Sequence, residues 1–138
     1  DSLRVWKVRL PDLVDHFPPT IPWEAERVRF SHFPGLLQGG ANIQLRYRTS
    51  PEEIASLHGR FFPMRTREFW GGNIRIHDNL PNGAPTTWFH TGDGGAVFPD
   101  DYQILVLDKE PKGGNHFCSH GVAISKQRNE IVYWAEHW

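Results

Sequence analysis

The sequence predicts an α+β domain: a mainly antiparallel β-sheet of six to seven strands in hairpin order, with one capped α-helix near residues 51–61. Three observations predict it. The stretches ERVRFS (26–31) and IQLRYR (43–48) alternate strictly between apolar and polar side chains, with a glycine-bearing segment between them. The stretch SPEE (50–53) carries the signals that open a helix. After it, short β-like pieces recur between loops rich in Gly, Pro, Asn and Asp, namely NLPNGAP, TGDGGAVFPDD and KEPKGGN.

The elements follow in order. Residues 3–10 alternate roughly, with Leu3, Val5, Lys7 and Arg9 on one side, and read as a first strand. Pro11, Pro18, Pro19 and Pro22 forbid regular structure over 11–23. Phe17, Ile21 and Trp23 in that extended connection are expected to pack onto the body. Residues 26–31 and 43–48 make a hairpin, with Val28, Phe30, Ile43, Leu45 and Tyr47 facing inward. Ser50 then caps a helix, Pro51 takes its first position, and Glu53 completes a capping box. Ile54, Leu57, His58 and Phe61 follow at helical spacing, and the helix stops before Pro63.

Beyond the helix, 73–77 and 86–90 read as short strands. The apolar run 102–107 reads as the central one. Residues 121–125 and 130–135 form a second hairpin, turning through Lys126–Asn129. Apolar residues on both parities of IVYWA (131–135) imply a strand covered on both faces.

A chain of 138 residues fits one domain, 1–138, able to bury a core without metal or disulfide staples. With 38% hydrophobic and 22% charged residues and no low-complexity tract, the composition argues against wholesale disorder. A net charge of −1 gives no pull toward nucleic acid. The longest apolar run, Ile104–Leu107, is too short for a transmembrane segment. One Cys cannot form an intrachain disulfide. A sequence that opens at Asp1 is expected to have been cut from something longer. Its Trp-, Pro- and Gly-rich composition tilts the expected setting toward the extracytoplasmic, periplasmic or secreted.

Two clusters are candidate sites. Arg27, Arg29, Arg46 and Arg48 all fall on the outward parity of the first hairpin. Like charges opposite one another destabilise a sheet. The face therefore needs carboxylates, for which Glu24, Glu26, Glu52 and Glu53 are near in sequence, or an anionic partner. That partner would be a protein or an anionic small ligand that Arg can grip bidentately. A solvated, ion-paired face is the plainer reading.

The second cluster is His116, Cys118 and His120, whose thiolate and imidazoles suit zinc. On a straight strand, however, His116 and His120 would lie roughly 13 Å apart. An adjacent pair could chelate only with a further ligand such as His90 or Asp93. The plainer reading makes Cys118 a small buried hydrophobe. The loop 90–95 with Asp100 and Asp101 is explained by turn chemistry rather than by anion or Ca²⁺ binding. No GxSxG, HExxH or SxxK motif is present, so no catalytic residue is assigned.

These readings add up to a small domain of unknown function whose favoured role is a non-catalytic binding or interaction module. A small metalloprotein or metal-assisted hydrolase built on the His/Cys cluster is one alternative. A partner-specific inhibitor or immunity-type protein is the other.

Overall fold

The computed structural model describes residues 14–33, 41–72, 98–107 and 118–137. The strands expected at 3–10, 73–77 and 86–90 lie outside them. The described elements are β1 (Glu26–Phe33), β2 (Ala41–Arg48), α1 (Pro51–Phe61), β3 (Arg67–Trp70), β4 (Gln103–Val106), β5 (Cys118–Ser125) and β6 (Glu130–His137). The six strands form one antiparallel sheet in the order β1-β2-β6-β5-β4-β3.

Both expected hairpins form, and their joining is the non-local event of the fold. Strand β6 pairs β2 on one side and β5 on the other. This makes β6 and β5 the central pair. The expected centre, 102–107, becomes β4, next to the short strand β3 that the sequence pattern did not reveal. Burial of every residue from Glu130 to Ala135 bears out the expectation of a strand covered on both faces.

Helix α1 links β2, near one end of the strand order, to β3 at the other, so it must cross one face of the sheet. Its start is set locally: the Ser50 hydroxyl accepts from Glu53 N at 3.1 Å, Pro51 stands at N1, and Glu52 and Glu53 sit at the positive end of the helix dipole. Ile54, Leu57 and Phe61 are buried. They meet Ile43, Leu45, Tyr47, Leu105, Val122, Ile124, Ile131, Tyr133 and Ala135 in one apolar cluster, together with Val14 and Phe17 from the proline-rich connection. Phe17 therefore packs as expected, whereas Trp23 is 94% exposed and Ile21 is also exposed.

The opposite face has its own smaller core: Phe98, Tyr102, Ile104, Val106, Ala123, Val132 and Trp134. Gly121 is required here. A Cβ on it would run into the Leu105 carbonyl and come within 2.5 Å of the Trp134 ring, so the bare backbone makes room for the indole of its cross-strand partner.

One feature of β1 corrects the expected pattern. Glu26 pairs Arg48, but the next pair is Arg29 with Arg46. Arg27 and Val28 thus stand together opposite Tyr47, a β-bulge with Arg27 in the left-handed region at φ 53°. The bulge breaks the strict alternation. Val28, expected inward, is 41% exposed, while Phe30 stays packed on the helix-side core.

Candidate functional site

The bulge decides where the four arginines go. Register places Arg29, Arg46 and Arg48 on the face opposite the helix, with Arg29 directly across from Arg46 and Glu26 across from Arg48. Arg27 is carried in the bulge itself. Arg27 and Arg29 are exposed and Arg48 is half-buried. The expectation that all four guanidinium groups face water fails at Arg46, which is only 9% exposed. Its neighbours across β6 and beyond are the residues of the second core, so an outward parity on a two-stranded ribbon becomes an inward position in the six-stranded sheet.

Arg46 is held by Glu130, the first residue of β6, with Nε 3.7 Å from Oε2. The hydroxyl of buried Tyr102 donates to the other Glu130 oxygen at 3.4 Å. Burial lowers the Arg46 pKa, the Glu130 carboxylate opposes that shift, and the positive charges of Arg29 and Arg27 reinforce it. Burial, with Glu130 second, raises the Tyr102 pKa, so Tyr102 stays a neutral donor. The remaining partner in this corner is Arg128. It forks onto Asp101 at 2.7 and 3.2 Å, and Ser125 Oγ donates to the same carboxylate at 2.5 Å. Those bonds, the Arg128 one foremost, hold Asp101 below the usual carboxylate range.

The guanidinium groups are thus unevenly satisfied. Arg46 has Glu130 and Arg128 has Asp101. Arg48 Nε is buried and has no hydrogen-bond partner, and neither has the adjacent Thr49 Oγ1. A buried donor left unmet costs about 1–3 kcal/mol. Arg27 and Arg29 stand close enough to depress the Arg46 pKa, so the cationic groups repel one another within the cluster. Such an arrangement can accept an anion.

Of the His/Cys cluster, His116 lies outside the described residues, as do His90 and Asp93. Cys118 opens β5, paired with His137. The His120 ring packs 5.0 Å from the ring of His16, centroid to centroid. Among the described residues, no group of three His, Cys, Asp or Glu side chains is placed to hold a metal ion. His58, on the helix stripe, bonds Gln103 Oε1 at 2.8 Å and stacks on Phe62. Gln103 in turn donates to Glu68, which pairs Arg65. This chain ties α1 to β4 and β3 and is fully accounted for as structure.

The sequence pattern does not mark Glu130, Tyr102 or Asp101 as members of this cluster. The first could have been found by asking which strand borders the outer side of β2, since Glu130 is the residue opposite Arg48 once β6 is docked there. Among the described residues, no helix is long and apolar enough to cross a membrane. Comparison with known proteins finds no matching family model, no matching curated relative and no matching solved structure.

Proposed function

We propose that the chain is a non-catalytic binding module that grips a carboxylate-bearing protein partner through the arginines of the β1–β2 hairpin. Arg27, Arg29 and Arg48 form the contact, and Arg46 is the buried support behind them. The observation that carries this reading is the buried Nε of Arg48, unpartnered beside a group of mutually repelling guanidinium charges. A carboxylate would meet the donor and neutralise the repulsion, and Arg forks match its two oxygens. Trp23 stands in solvent three residues before β1. Trp and Arg are the side chains that dominate the energetics of protein interfaces.

Titration of a hexaglutamate peptide, followed by calorimetry at two salt concentrations, tests this reading. Salt-sensitive binding is expected, and Arg27→Gln with Arg29→Gln should weaken it by about tenfold or more. Both substitutions lie on exposed side chains, so the melting temperature should hardly move. Equal affinity for the double variant, or no binding at millimolar peptide, would overturn the reading. Binding of inorganic phosphate with the same Arg dependence, but not of the peptide, would replace the protein partner with a small anion.

A further inference from the structure

The stretch that leads into the arginine hairpin also leaves apolar side chains in water. Among the described residues five large apolar side chains are exposed, and three of them, Ile21, Trp23 and Val28, fall within residues 21–28. Trp23 is 94% exposed and Val28 41%. The bulge that holds Arg27 at φ 53° also breaks the alternation that would have turned Val28 inward, so a cation and an apolar side chain are put out together.

The Trp23 indole is displayed on a fixed frame. Residues 18–24 run between two anchored ends. At one end Val14 and Phe17 lie in the helix-side core, and His16 Nε2 donates to the Trp134 carbonyl oxygen at 2.8 Å. At the other end Ala25 packs on the same core, and its N–H bonds the Pro22 carbonyl at 3.0 Å, closing a turn that carries Trp23 at its second position. Pro18, Pro19 and Pro22 fix their own φ angles between the two anchors. Such a segment has little freedom left to lose on binding, which favours affinity.

The charges along this stretch are ordered. Glu24 and Glu26, beside the indole, are exposed, and the exposed Arg27 and Arg29 follow them. Carboxylates of a ligand are therefore repelled next to Trp23 and attracted at the arginines. Four residues separate Trp23 from Arg27, at most about 14 Å, and an extended hexapeptide spans about 20 Å, so one short segment reaches both.

We propose that Ile21, Trp23 and Val28, together with Arg27 and Arg29, dock an extended segment of a partner protein that has an apolar half and an acidic half. This surface extends the arginine face, rests on the reading of that face given above, and adds what the partner presents besides negative charge. A uniformly acidic ligand leaves the indole in water and meets Glu24 and Glu26. An aromatic side chain seated on Trp23 removes apolar surface from water on both partners and adds ring contact. The carboxylates beyond it then meet the guanidinium forks.

The test is calorimetric titration of the full chain with blocked hexapeptides of equal charge. FFSEEE and EEESFF present the two halves in either direction, and SSSEEE lacks the apolar half. The better of the two Phe peptides should bind about tenfold tighter than SSSEEE. Salt should weaken all three and leave that ratio unchanged, because an apolar contact is not screened. Trp23→Ala should bring the ratio near one with little change in melting temperature, whereas Trp70→Ala, exposed elsewhere, should preserve it. Arg27→Gln with Arg29→Gln should weaken every peptide alike. Equal affinity of the Phe and Ser peptides, or a ratio that survives Trp23→Ala, would overturn this inference and leave the arginine reading standing. No binding of any peptide at millimolar concentration would overturn both. Trp23-dependent binding to phosphatidylserine vesicles, with equal peptide affinities, would replace the peptide segment with a lipid surface.

Discussion

The two faces of the sheet bury comparable elements by different means. Among the described residues, the face under α1 is sealed by aliphatic and aromatic side chains, with a pair of tyrosine hydroxyls at its centre. Tyr47 and Tyr133 meet hydroxyl to hydroxyl at 3.3 Å. Burial raises the pKa of both, so they stay neutral, and Phe17 and Phe61 pack on the Tyr133 ring. The far face carries an aromatic centre at Trp134 and Tyr102, but its margin holds a buried Arg46–Glu130 pair and a buried Gln44. Burial on this sheet is thus set by strand order rather than by side-chain polarity. Positions that a lone hairpin would give to water become interior when β6 docks on β2.

Substitutions on the two faces should separate them experimentally. The largest is expected at Trp134, which fills the space above Gly121. Trp134→Ala should cost about 3–5 kcal/mol in urea unfolding, as large cavities do. A cost near 1 kcal/mol would mean that the far-face core contributes little to stability.

Glu130→Gln comes next. It leaves Arg46 charged and buried without its counter-charge, and about 3 kcal/mol of destabilisation is expected. Adding Arg46→Met should recover much of that loss, because the residual charge disappears. Failure of the second change to recover stability would show that the pair does more than balance its own burial.

On the helix side, Tyr133→Phe removes one hydroxyl from a neutral pair and should cost only about 1 kcal/mol in the same assay. A loss matching that of Glu130→Gln would erase the distinction between the faces.

The smallest effect is a pH dependence. The folded-state pKa of Asp101 is depressed, chiefly by Arg128. Its contribution to stability is therefore present above the unfolded carboxylate pKa and is lost as pH falls through the lower, folded value. Melting temperatures of wild type and Asp101→Asn should differ steadily above about pH 5 and converge below about pH 4. A gap that persists at low pH would assign the effect to something other than the carboxylate charge.

Much of this was legible in the sequence where the physics is local. The cap at Ser50 needed only the order Ser-Pro-Glu-Glu, because its hydrogen bond spans three residues. The two hairpins needed only alternation and glycine- or Asn-bearing turns. The β-bulge was not legible, since Arg27 has a side chain that ordinarily avoids positive φ, and nothing in ERVRFS marks the extra residue. Strand β3 escaped because four residues are too few to show a period. The arginine cluster was half readable. Its composition was plain, but the burial of Arg46 depended on a strand more than eighty residues away.

The α+β class, the placement of the helix and the pairing within each hairpin are written in the order of residues, because they depend on side-chain periodicity and on contacts between near neighbours. Long-range packing places β6 between β2 and β5, buries Arg46 against Glu130 and sets His16 on His120. Those outcomes follow from which apolar faces meet when distant segments collapse together. A one-dimensional pattern records that each face must be covered, but not what covers it.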